Sequence, residues 1–205
     1  VQILFRNPFE IRRGHGELSG LDGAGGVPVG HGDWVHSGGA GALLDEFQPR
    51  RVIDNGAPER PSVHRALFAN RPPPEFAKRG DTFALSRHVT ARILHPSAET
   101  KGKAADDQTL VAHLLIDGKF RVLLVSDSGL VTEEALLALP NEKLRSDILI
   151  KGQHHSGVSG SSAFLDAVQP ALIVATSPHF PPRAPTPEDW ARPARAGRPT
   201  PRPPA

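Results

Sequence analysis

The chain contains no cysteine and no methionine, and aromatic residues fill only 5% of its 205 positions. Without cysteine there is no disulfide scaffold, no thiolate-bound zinc and no cysteine nucleophile. Methionine is missing even at position 1, so the chain is expected to be a fragment or a processed piece. Long apolar runs are missing too. The longest span four or five residues, such as Val122 to Val125, whereas a membrane-crossing helix needs about 20. Residues 1–30 lack the apolar core of a secretory signal. Nor is there a strong overall charge. The formal net charge is +2, and segment 183–205, with five arginines and two acids, carries +3 of its own. The basic pI of about 9.3 is therefore a property of the tail, and overall charge gives no ground for nucleic-acid binding.

What is present is unevenly distributed. Eleven of the 20 glycines lie between Gly14 and Gly41, and ten of the 21 prolines between Pro178 and Pro204. This divides the chain into a Gly-rich irregular segment 1–30, a folded domain 31–182 and a disordered Pro/Arg-rich tail 183–205. A chain of this length holds one core, roughly 70% of its surface being buried on folding.

Within the domain, short helices are expected at Leu43–Phe47, Ser62–Ala69, Thr132–Leu139 and Ser161–Val168. Thr132 is the expected N-cap of the third, and Ser161 or Ser162 of the fourth. Strands are expected at Val52–Ile53, Phe83–Leu85, Thr90–Leu94, Leu110–Ile116, Phe120–Val125, Ile148–Ile150 and Leu172–Ala175. Asp117-Gly118-Lys119 joins two of them as a hairpin. Gly25–Gly30 is a poor strand. Mixed helices, strands and hairpins indicate an α/β or α+β layered fold.

Four polar segments stand at the ends of these elements. His31-Gly32-Asp33-Trp34-Val35-His36 places two imidazoles and a carboxylate in a loop whose glycines let the backbone fold closely round an ion. Asp127, in Ser126-Asp127-Ser128-Gly129, follows an apolar strand and puts a carboxylate at the sheet edge where ligands collect; the same residues also suit a plain turn. His154 and His155, in Lys151-Gly152-Gln153-His154-His155-Ser156-Gly157, follow another strand and offer neutral imidazole ligands. Asp106-Asp107-Gln108-Thr109 leads into a strand and, taken alone, is an ordinary solvated turn. His15, His64, His88, His95, His113 and His179 are not expected as ligands, and His64 is expected to be exposed.

In this order the segments resemble the metallo-β-lactamase superfamily. Gly-Asp-Trp-Val-His-Ser-Gly-Gly, Asp-Asp-Gln-Thr-Leu-Val, Leu-Leu-Val-Ser-Asp-Ser-Gly, Lys-Gly-Gln-His-His-Ser-Gly and Ser-Ser-Ala-Phe-Leu-Asp-Ala-Val-Gln-Pro are similar to the soluble domain of ComEC-type DNA-uptake competence proteins. The resemblance covers about residues 31–182 and implies a metallo-β-lactamase-like αββα sandwich, incomplete at its N-terminus. It implies one or two Zn²⁺ or Mn²⁺ ions. His31 and Asp33 would hold one, His36 and His154 the other, with Asp127 between them and His155 as the rival of His154. Asp106 or Asp107 would complete the ligands of the first ion, and Asp106 or Asp107 would serve as proton acceptor, Asp107 being the catalytic candidate of the two, with Asp33 and Asp127. Lys151 and Ser156, beside the ligand histidines, are placed to contact a backbone phosphate, with a solvated surface lysine as the alternative reading of Lys151. The implied substrate is single-stranded DNA, the implied partner a membrane channel domain of the same parent protein, and the implied location the bacterial inner membrane. Val35 stands where the family signature has a second Asp, which leaves open a catalytically degenerate scaffold. A hydrolase of lactones, thioesters or other small molecules is a third reading, disfavoured because Asp-Asp-Gln-Thr replaces the histidine such enzymes use.

Overall fold

The computed structural model of the chain describes residues 26–28, 39–49, 51–57, 62–98, 100, 105–154, 158–176 and 189–190. In chain order the elements are β1 (Gly26–Pro28), α1 (Ala40–Phe47), β2 (Arg51–Asp54), α2 (Ser62–Leu67), β3 (Glu75–Phe76), β4 (Thr82–Ala84), β5 (Val89–His95), β6 (Val111–Ile116), β7 (Phe120–Ser126), α3 (Leu130–Leu137), β8 (Ile148–Lys151), α4 (Ser162–Val168) and β9 (Leu172–Ala175). A 3₁₀ turn, Asp106–Gln108, precedes β6, and a second, Asn141–Lys143, follows α3.

Two sheets form. β1, β2 and β3 make a parallel three-stranded sheet. The other six strands lie in sequence order, antiparallel from β4 to β7 and parallel from β7 to β9. The change of direction follows from the connections. β6 and β7 are joined by a tight turn in which Asp117 and Gly118 both have positive φ and the Lys119 N–H returns to the Ile116 carbonyl. β7, β8 and β9 are joined through α3 and α4, and a crossover helix returns the chain to the same end of the sheet.

Apolar residues set the layers. Ile53 meets Phe83, Ile93, Leu110, Ala112, Val122 and Leu124 in one core. These residues come from both sheets, so this core lies between them. Leu123, Val125 and Leu149 meet Leu136, Phe164, Leu165 and Val168 in a second core under α3 and α4. Ala40, Leu44 and Leu67 join α1 to α2, with Val52 of β2 packed against them. The order is α, β, β, α, as expected. Each fully buried Leu, Val or Phe contributes roughly 1.5–3 kcal/mol through removal from water. Among the described residues no helix is long and apolar enough to cross a membrane.

Several local expectations are corrected. Gly26–Pro28 pairs in register with Arg51–Ile53, because a neighbouring strand can align a segment of poor intrinsic propensity. α3 begins at Leu130 behind Gly129, so Thr132 is no N-cap but a buried residue inside the helix. Its hydroxyl donates to the Asp107 carbonyl at 3.4 Å. Ser161, by contrast, caps α4 as expected, accepting from the Phe164 N–H. His64 is buried, not exposed, and its Nε2 stands 2.9 Å from Asp54 Oδ2. Trp190, inside the expected disordered tail, is fully buried in the helix-side core, where a large indole finds more apolar contact than solvent offers.

His95, at the end of β5, is buried with both ring nitrogens engaged. Nδ1–H donates to the Thr109 carbonyl at 3.0 Å, and Nε2 accepts from the Thr100 hydroxyl at 3.3 Å. Burial pushes this imidazole below its ordinary value, and burial does the same to His113. Each therefore binds a proton more weakly folded than unfolded, where the value is about 6.5. Their stability is present above that pH and is lost as pH falls through 6.5, because only the unfolded chain takes up the proton. The urea midpoint is expected to drop between pH 7.5 and pH 5.5, and His95→Gln to flatten the drop. A variant that keeps the wild-type pH dependence would rule out this source.

Candidate metal centre

The strand directions bring the polar segments to one edge. β7 and β8 are parallel, so Asp127 and His154 follow neighbouring strands at the same end. β6 is antiparallel to β7, so the turn before it, Asp106–Gln108, stands at that end as well. His95, at the end of β5, faces it from the other side of β6.

Two glycines let the side chains approach. Asp127 Oδ1 lies against Gly152, where the Cβ of any other residue would collide with it. The His154 ring lies on Gly129, where a Cβ would stand 2.6 Å from Cδ2 and 2.9 Å from Nε2. The loops are also tied through their backbones, the Gly152 N–H donating to the Ser126 carbonyl at 2.7 Å.

His154 Nε2 is 3.5 Å from Asp107 Oδ1 and 4.0 Å from Asp106 Oδ2. His154 and Asp106 are buried. The aspartate turn is held from three directions. Asn55 Nδ2, just after β2, donates to the Gln108 carbonyl at 2.6 Å; the Thr132 hydroxyl reaches the Asp107 carbonyl; and His95 holds Thr109. Behind Asn55, the buried Asp54 carboxylate accepts the Asn55 N–H at 2.6 Å and pairs with His64.

This donor set fits a divalent ion. Imidazole and carboxylate are the ligands that zinc and manganese share. Two donors about 2.1 Å from one tetrahedral ion stand about 3.4 Å apart, close to the 3.5 Å between His154 Nε2 and Asp107 Oδ1. Among the described residues, however, no group of three or more His, Asp or Glu side chains stands ready to hold a metal by itself. The expected ligands His31, Asp33 and His36 lie outside the described residues, as do His155 and Ser156.

Lys151 is placed differently from the expectation. It was read as a contact for a substrate phosphate, with a solvated surface lysine as the alternative. Its side chain is instead fully buried, with Nζ donating to the Ser128 carbonyl at 2.9 Å and 3.4 Å from Glu133 Oε1. Burial pushes its ammonium below the ordinary lysine value; Glu133, and more weakly Asp127, act in the opposite direction. An ammonium enclosed in this way is not presented to a bound nucleic acid.

Gly129, Gly152 and Asn55 carry no role at the site in the sequence-based expectations, which make Thr132 an N-cap and His64 an exposed side chain. For the two glycines a signal existed, since each lies within two residues of a candidate ligand at a strand end. For Asn55 and His64 there was none, as both act across elements distant in sequence.

No family model and no curated protein sequence matches this chain. Its likeness is to solved structures. The metallo hydrolase Igni18 from Ignicoccus hospitalis is 14% identical over 84% of this chain and 72% of its own, with a TM-score of 0.56. The metallo-β-lactamase fold protein YhfI from Bacillus subtilis is 13% identical over 84% of this chain and 71% of its own, with a TM-score of 0.51. A metal-dependent hydrolase from Parabacteroides distasonis aligns at 13% identity and a TM-score of 0.49 over 73% of this chain, which spans 64% of that protein's length. At such identities the likeness is one of fold: the chain has the metallo-β-lactamase fold.

Proposed function

We propose that this metallo-β-lactamase fold chain is a metal-dependent hydrolase that cleaves phosphodiester bonds, with single-stranded DNA as its substrate in competence-linked DNA uptake. The observation that carries the hydrolase reading is the approach of Asp106 and Asp107 to His154 Nε2, at the end of the sheet where Asp127 also follows its strand. Igni18, a metallo hydrolase, has the same fold. The nucleic-acid assignment, and with it a membrane channel partner at the bacterial inner membrane, rests on the ComEC-type likeness of segments 32–39, 106–111, 123–129, 151–157 and 161–170.

In this reading His31 and Asp33 would hold one Zn²⁺ or Mn²⁺ and His36 and His154 a second, with Asp127 as a ligand shared by both. The bound metal supplies Lewis acidity, bringing the pKa of a water towards about 7 and neutralising charge on the phosphoryl oxygens. The protein's own part is orientation and proton transfer. The turn Asp106–Gln108 fixes Asp107, whose carboxylate would accept the proton released at the site. Gly129 makes room for the His154 ring and Gly152 for the Asp127 carboxylate. Lys151 has no part in binding substrate, being enclosed.

The second reading is a scaffold that holds metal or nucleic acid without turnover, favoured by Val35 in place of the signature's second Asp. Elemental analysis separates the two. The hydrolase is expected to carry about one to two equivalents of zinc or manganese, with His31→Ala, Asp127→Ala and His154→Ala each losing most of it. Metal-loaded protein is then expected to degrade single-stranded DNA, while a lactone or thioester is left intact. No stoichiometric metal after reconstitution would overturn the hydrolase reading, and metal without turnover would leave the scaffold.

A further inference from the structure

We propose that Lys151 is a positioning residue: its buried ammonium clamps the loop bearing Asp127 to the loop bearing His154. One end of the clamp is the carbonyl of Ser128, the residue after Asp127, which accepts from Nζ at 2.9 Å. The other end runs through Glu133 of α3, 3.4 Å from Nζ. The same Glu133 carboxylate accepts the backbone N–H of Gly160 at 2.5 Å and of Ser161 at 2.8 Å. Those two amides lie six and seven residues after His154, and Ser161 goes on to cap α4. Trp190 seals the far side. Its indole N–H donates to the Ser159 carbonyl at 3.3 Å, and its ring centroid is 5.5 Å from Nζ.

Burial alone does not account for this arrangement. Lys151 and Glu133 are both fully buried, and a buried ion pair is a weak source of net stability. An apolar side chain at position 151 would fill the space equally well. It could not reach one backbone carbonyl and one carboxylate at once. The groups the pair connects are the backbones on either side of the two candidate ligands. Removing one charge strands the other in the interior, whereas replacing both with neutral groups of the same shape is commonly tolerated. The role in the fold can thus be separated from the role at the site.

For its effect on metal the proposal rests on the metal-site reading above; its geometry does not. The double variant Lys151→Met/Glu133→Gln keeps Asp127 and His154 and removes both charges. It is expected to melt cooperatively and yet to bind zinc at least about tenfold more weakly than the wild type, measured by competition with a chromophoric chelator. Zinc binding equal to wild type in a folded double variant would overturn the clamp and leave a stability element. Amide exchange of the wild-type chain gives the independent arm. The Gly160 and Ser161 amides are expected to exchange only through global unfolding, and in Glu133→Gln through local opening. Fast exchange of both in the wild type would overturn the proposal even if the double variant failed to fold. If the wild type takes up no zinc, the metal reading falls and the exchange result alone decides the clamp.

Discussion

On the proposed metal-site reading, replacing Gly152 with alanine is expected to weaken zinc binding before it damages the fold. The new methyl group would stand where Asp127 Oδ1 now lies. Either the carboxylate turns away or the strands β7 and β8 separate. The strands are the stiffer alternative: Leu123 and Leu149 are fully buried between them and the helices, and the Gly152 N–H is bonded to the Ser126 carbonyl. Gly152 is not among the glycines with positive φ, so alanine fits its backbone. The strain therefore falls on Asp127. Zinc affinity should drop by about tenfold to a hundredfold, the range seen when the groups orienting a ligand are disturbed, with little change in melting temperature. Gly129→Ala should act in the same way through the His154 ring. A Gly152→Ala protein that holds zinc like the wild type would show that Asp127 is no ligand.

Phe164→Ala should have the largest effect on stability. Its ring is fully buried in the core between the six-stranded sheet and α3 and α4. Its own N–H receives the Ser161 cap, so the residue anchors α4 at its first turn by both backbone and side chain. Truncating a buried phenylalanine costs about 3–5 kcal/mol, against a total of about 5–15 kcal/mol for a domain. At 2–4 °C per kcal/mol, the melting temperature should fall by about 6–20 °C. Thermal unfolding followed by circular dichroism measures it, and a fall of only a degree or two would mean that the core closes over the gap.

Much of the layering was legible because the strands are written in short apolar runs bounded by turn residues. Leu172–Ala175 was placed to the residue, and the Asp117-Gly118 turn with its flanking strands nearly so. Element ends were harder to place. Thr132 has the chemistry of an N-cap, but the helix gains its first turn two residues earlier, and the hydroxyl serves the aspartate turn instead. Lys151 illustrates a deeper limit. A lysine at a strand end faces water in most proteins, and nothing nearby in sequence announces that Ser128, Glu133 and Trp190 enclose it. His64 fails for the same reason, its partner Asp54 being ten residues away on another element. That Asp127 and His154 follow neighbouring strands was legible from the apolar runs before them. The approach of Asp106 and Asp107 to His154 was not, because it depends on β6 running antiparallel to β7.

The central strands alternate between two interiors. In β7, Val122 and Leu124 belong to the core between the sheets, while Leu123 and Val125 belong to the core under the helices. Ile93 and Leu94 divide in the same way in β5, and Val111 and Ala112 in β6. A slip of one residue in any of these strands would exchange its two sets of side chains at a stroke, and a slip in β7 would also point Asp127 away from its neighbours. The pairing register is thus guarded from both sides at once. Sequence length is free to drift at the Asp117–Lys119 turn, at the far end of the hairpin, but not between Phe120 and Asp127, where the residue count itself aims the carboxylate.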